Sequence, residues 1–174
     1  SDVYLVDSVD LTTKKSLLLE TSSDGVYNKG YGANRIAVLP NSSFALVDSI
    51  YYNTLFFIDL NEKTLEGVIY FDSEFGESGS GSRGIAVSSD NKAYIVSRYL
   101  QSILVVDLTK ITDNGQNFDV IENAVINSLA IGDKDSTDIE IYGNYLYVAN
   151  FDDSSISVVD LTMGEITDTI TVGQ

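Results

Sequence analysis

The sequence predicts an all-β fold assembled from repeated units of four short antiparallel strands. Three observations carry this reading. Runs rich in Tyr, Val, Ile and Thr recur with period-two alternation, bounded by Asn, Asp, Ser and Gly, and no stretch of useful length has helical periodicity. One set of landmarks returns in three successive segments. The balance of 44% hydrophobic and 21% charged residues is that of a globular chain, and 174 residues suffice for a sizeable core.

The first segment opens with Ile36-Ala37-Val38, the second with Ile85-Ala86-Val87 and the third with Ile139-Glu140-Ile141. Each opening triplet leads into a turn: Pro40-Asn41-Ser42-Ser43, Ser89-Asp90-Asn91 and Gly143-Asn144, all residue types that favour tight reversals. A second apolar run then ends at Asp48, Ser97 or Asn150, and a third ends at Asp59-Leu60, Asp107-Leu108 or Asp160-Leu161. The last segment divides plainly into Asp138–Tyr142, Tyr145–Asn150, Ser155–Asp160 and Glu165–Val172. Four such strands in one repeat make one blade of a β-propeller.

On this spacing the blades occupy residues 35–71, 84–122 and 138–172 of a single partial propeller domain spanning 1–174. Residues 1–20 read as the outer half of a preceding blade, because Val9-Asp10-Leu11-Thr12 repeats Val159-Asp160-Leu161-Thr162 and a final strand follows. About three and a half blades do not close a ring, which needs roughly four to eight. The expectation is therefore a piece of a longer protein, or a chain whose ring is completed by another copy, through blade faces that would otherwise stay exposed.

Tyr147-Val148-Ala149-Asn150 followed by Ser157-Val158-Val159-Asp160-Leu161 resembles the YVTN family of propeller repeats, and Ile85-Ala86-Val87-Ser88-Ser89-Asp90-Asn91-Lys92 is similar to that family's opening hairpin. The likeness covers most of residues 35–172 and is weakest in the first repeat, where Ala45-Leu46-Val47-Asp48 stands in place of the signature. The resemblance implies a surface-layer-type or otherwise exported protein, outside the cytoplasm, and names no ligand.

Composition excludes much chemistry. The chain has neither Cys nor His, so it offers no thiol nucleophile, disulfide, imidazole base or His-ligated transition metal. A net charge of −16 repels phosphate backbones and anionic headgroups, which argues against nucleic acid and acidic membranes as partners. No run of apolar residues is long enough to predict membrane insertion as a helix.

Most recurring polar positions suit turns: Asp59, Asp107 and Asp160 sit where a carboxylate can bond nearby backbone amides. Tyr145, Tyr147 and Phe151 read as packing between blades. Two groups remain as candidate sites. Arg35 and Arg83 precede opening strands, and Asp138 holds the matching place in the third repeat, so the three are candidates to grip a ligand at the mouth of the central channel. The competing reading pairs each arginine with an acidic neighbour. Asp133, Asp135 and Asp138 form a partial calcium-loop pattern without its glycine or closing glutamate. Ca²⁺ is thus the only cofactor the sequence raises. The long loops carrying Tyr27, Tyr31 and Phe75 are a further place for binding specificity.

These features predict a non-enzymatic binding or scaffold module that contacts a protein or surface polymer through loops and blade edges. The alternative is an enzyme of the lactonase or hydrolase propeller type with catalytic residues lying partly outside this chain.

Overall fold

The structure, a computed structural model, describes residues 2–6, 13–18, 32–50, 54–70, 82–97, 102–110, 119–120, 125–131 and 135–173. The described residues are almost entirely strand, arranged as propeller-type sheets whose inner strands follow one another in sequence. A two-stranded sheet pairs β1 (Asp2–Val6) with β2 (Thr13–Leu18). The first full blade comprises β3 (Ala33–Val38), β4 (Phe44–Ser49), β5 (Thr54–Asp59) and β6 (Thr64–Tyr70). The second comprises β7 (Ser82–Val87), β8 (Lys92–Ser97), β9 (Ser102–Asp107) and, outermost, β11 (Val125–Ala130). The third comprises β12 (Ser136–Tyr142), β13 (Tyr145–Asn150), β14 (Ser155–Asp160) and β15 (Glu165–Thr171).

The second blade departs from the expected limit at residue 122. Its outer strand is β11, while β10 (Asp119–Val120) pairs in parallel with β6 and adds a fifth, edge-covering strand to the first blade. Phe118-Asp119-Val120-Ile121 is as strand-like in composition as Val125–Ala130, so pairing partners decide between them.

Turns follow the side-chain chemistry. In the third-to-fourth strand turns the recurrent aspartates accept backbone amides: Asp59 from Asn61 and Glu62 at 2.7 and 2.9 Å, and Asp160 from Thr162 and Met163 at 2.7 and 3.1 Å. Asp107 accepts both the amide of Thr109, at 3.0 Å, and its hydroxyl, at 2.6 Å. These bonds hold the exposed Asp107 carboxyl below its ordinary range. The opening hairpins differ in length. The first blade turns over Leu39–Ser43, whereas the third uses Gly143-Asn144 alone, with Gly143 at φ +61° as a primed two-residue turn requires.

Alternation sorts every strand into two faces, and successive blades pack on one another through them. Leu46, Leu55, Phe57 and Ile69 of the first blade pack on Ile85, Ala93, Ile95, Leu104 and Val106 of the second. The second blade's other face, with Tyr94, Val96, Ile103 and Val105, packs on Ile139, Leu146, Val148 and Val159 of the third. The preceding face of the first blade buries Val47, Phe56, Ile58 and Val68, and Phe56 is 0% exposed.

This register corrects one alignment. Ala33, Ser82 and Ser136 lie opposite Ser49, Ser97 and Asn150, so Ser49, and not Asp48, is the counterpart of Ser97 and Asn150. The extra residue in the first hairpin shifts the apparent spacing by one.

Candidate functional site

The three opening strands stand side by side, with β7 between β3 and β12. In each, a bulge interrupts pairing near the N-terminal end: between Ala33 and Ile36, between Ser82 and Gly84, and between Ser136 and Asp138. A bulge re-aims side chains away from the sheet. Arg35 and Arg83 lie within two of these bulges, and Asp138 borders the third.

The Arg35 guanidinium donates from Nη2 to Asp138 Oδ2 at 3.0 Å, across the opening strand of the middle blade. Both side chains are about half exposed, at 51% and 49%. A half-exposed pair of this kind is worth about 0–1 kcal/mol. Arg83 takes part through its backbone: its carbonyl accepts the Asn34 amide at 3.2 Å. The structure thus brings Arg35 and Asp138 into contact and sets Arg83 on the strand between them. A carboxylate or phosphate gripping Arg35 through Nη2 would compete with Asp138.

Beneath this rim lies Asp48, fully buried on β4. Its carboxylate accepts the Arg35 backbone amide at 2.5 Å and the Asn34 side-chain amide at 3.4 Å, which pins the bulge. Burial raises its pKa above the ordinary 3.8, and the bonds from Arg35, Asn34 and Ser82 only partly offset this. The native state therefore holds a proton on Asp48 at pH values where the unfolded chain has lost it. Its contribution to stability is fully present below about pH 3.8 and falls as pH rises through the higher native value. Asp48→Asn, which keeps an acceptor for the Arg35 amide, is expected to remove that decline. Urea unfolding at a series of pH values from about 3 upward checks this: the gap between variant and wild type should move in the variant's favour as pH rises. A constant gap would discard Asp48 as the titrating group.

The aspartate-rich connector is only partly in view, because Asp133 lies outside the described residues. Asp135 is buried at φ +59°, its carbonyl accepting the Phe151 amide at 3.2 Å. Asp138 faces Arg35 with one oxygen and accepts the Ile139 amide at 3.0 Å with the other. Among the described residues, no three acidic groups converge on a point where a cation could sit. Tyr27, Tyr31 and Phe75 also lie outside the described residues.

The third feature is the outer face of the last blade, one of the blade faces expected from the sequence to stay exposed in a partial ring, although of its residues only Tyr147 was singled out there. Cross-strand pairing places Tyr147, Ala149, Ile156, Val158 and Ile170 on it together. These occupy the same register positions as Tyr94, Val96, Ile103, Val105 and Leu129, which pack on the third blade, and as Leu46, Asp48, Leu55, Phe57 and Ile69, which face the second. Here no described sheet covers them, and Ile170 is 43% exposed. Phe151, read from the sequence as packing between blades, is instead 70% exposed in the turn after β13.

No protein-family model matches the chain. No curated protein matches it either. Solved structures do match, and they are of the β-propeller type. Hydrazine synthase from Kuenenia stuttgartiensis superposes with a TM-score of 0.70 at 17% identity, over 98% of this chain and 43% of the other. U3-55K gives 0.66 at 13% identity, over 84% of this chain and 41% of the other. The nidogen/laminin complex gives 0.58 at 12% identity, over 80% and 47%. At such identities the likeness establishes the propeller fold alone. The chain spans less than half the length of each of these structures.

Proposed function

We propose that this chain is a non-enzymatic binding or scaffold module, a propeller arc that engages its partner through the outer face of its last blade. The observation that carries the reading is positional. The residues on that face are the register counterparts of those that join the first blade to the second and the second to the third. A face built to this pattern fits another four-stranded sheet, whether from a longer form of the same protein or from a second copy. The YVTN-like stretches at Tyr147–Asn150 and Ser157–Leu161 support placing the module outside the cytoplasm, and among the described residues no helix is long and apolar enough to cross a membrane. Arg35, Arg83 and Asp138 mark a polar rim that a partner loop can reach. A calcium ion held by Asp133, Asp135 and Asp138 would compete with Arg35 for the Asp138 carboxylate.

Light scattering on the 174-residue chain tests this. The wild type is expected to show a mass that rises with protein concentration, and Tyr147→Asp with Ile170→Asp should restore the monomer. Appending a second copy of residues 135–173 after the last blade should have the same effect, by covering the face. A wild type that stays monomeric at every concentration, with the same mass as the variant, would overturn the reading.

A further inference from the structure

A second surface arises where two blades meet unequally. At the junction of the first and second blades, Leu39 at the start of the hairpin is buried, and Phe44 stacks on Phe57 with ring centroids 4.7 Å apart. The pairing registers give the counterparts of these three residues at the next junction as Ser88, Lys92 and Val105. Two large apolar side chains are thus replaced by a hydroxyl and an amine, and a stacked ring by a smaller aliphatic group. The facing hairpin of the third blade is the short Gly143-Asn144 turn, which reaches less far than the longer hairpins of the first two blades. The gap left is a cleft of about 590 Å³, within the range of sites that hold small molecules.

Its walls are mixed. Ser88, Asp90, Lys92 and Tyr94 line one side, Asn144 and Thr162 the other, with Ile141 and Leu161 as the apolar floor. The charges cancel locally: Lys92 Nζ meets Asp90 Oδ2 at 2.7 Å, and Ser88 Oγ donates to the other oxygen of Asp90 at 2.5 Å. Ser88 is itself held by the backbone of Lys92, whose amide donates to it at 3.2 Å. Across the cleft, the Asn144 amide donates to Thr162 Oγ1 at 2.7 Å and to Asp160 Oδ1 at 3.2 Å. Donors and acceptors therefore alternate around an apolar floor, and the two charged residues of the lining, Asp90 and Lys92, are paired with each other.

We propose that this cleft is a binding site for a neutral saccharide unit, whose hydroxyls meet the alternating polar wall while its C–H face lies on Ile141 and Leu161. An ionic ligand gains nothing from an already compensated pair, and an anion is further opposed by the net charge of −16. This site is independent of the outer face of the last blade, so either can fail alone.

The test is an NMR titration of the whole ¹⁵N-labelled chain with methyl glycosides of glucose, galactose and N-acetylglucosamine, and with glucuronate and glucosamine as charged counterparts. At least one neutral glycoside should shift the amides of Ser88, Lys92, Asn144 and Thr162, binding about tenfold more tightly than its charged counterpart. Refilling the cleft with Ser88→Leu and Lys92→Phe, the residue types of the preceding junction, should abolish those shifts. Asp90→Asn preserves the shape but removes the carboxylate bonded to Lys92, leaving Asp107 as its remaining anionic neighbour, and should shift the preference towards glucuronate. The proposal is overturned if no neutral glycoside moves these amides, if the shifts map elsewhere, or if Asp90→Asn leaves the order of preference unchanged.

Discussion

Placing a side chain at Gly84 is expected to be among the most damaging single changes in the molecule. A β-carbon there would lie 3.0 Å from the Asp138 Cα and 3.1 Å from the Ile139 amide nitrogen. Both are backbone atoms of the next blade, so no rotamer change relieves the clash and β12 itself has to retreat from β7. Gly84→Val should therefore sit at the upper end of the roughly 1–3 kcal/mol typical of overpacking. For a chain of this length that lowers the melting temperature by about 5–10 °C. Since Asp138 is the residue displaced, its contact with Arg35 should open in the same variant, which NMR of the Arg35 guanidinium reports. An unchanged melting temperature would contradict the close approach of the two opening strands.

The second large effect is expected at Phe56. It is fully buried with Val47, Ile58 and Val68 on the preceding face of the first blade. Truncation to alanine removes a large apolar side chain and leaves a cavity, at a cost of about 3–5 kcal/mol. Ile170→Ala, on the part-exposed outer face of the last blade, should cost less than about 1 kcal/mol in the isolated chain. Denaturant unfolding of the two variants side by side measures the asymmetry between the two ends of the arc. Equal losses would mean that the two faces are equally covered.

Much of this architecture was legible in the residues. The aspartates at 59, 107 and 160 announce a turn because a carboxylate at that point meets nearby donors, and those bonds form: two backbone amides at Asp59 and Asp160, one amide and one hydroxyl at Asp107. The triplets at 36, 85 and 139 mark opening strands because alternation needs only local sequence. The outer strand of the second blade was not legible, since two stretches of similar β-character compete and only the neighbouring sheet selects between them. The Asp48 alignment slipped for a related reason: hairpin length is invisible to spacing until pairing is known.

The candidate sites were legible to different depths. Arg35, Arg83 and Asp138 stood out by their place ahead of the opening strands, but the ion pair between the first and third repeats depends on how blades fan around an axis. The cleft was hidden altogether. Ser88 and Lys92 look ordinary in a surface hairpin, and they become informative only when register shows that Leu39 and Phe44 hold the same positions one blade earlier.

That common register also bears on how such a protein can change size. Each sheet leans on its immediate neighbours through the same set of register positions, so the apolar heart of the seam between two repeats recurs in the series even where its hairpin end differs. Duplication of a blade's worth of coding sequence after the last repeat would supply both halves of a new seam at once. The older seams would need no compensating change. Growth and loss of whole repeats are then gentler events for this architecture than a single methylene added at Gly84.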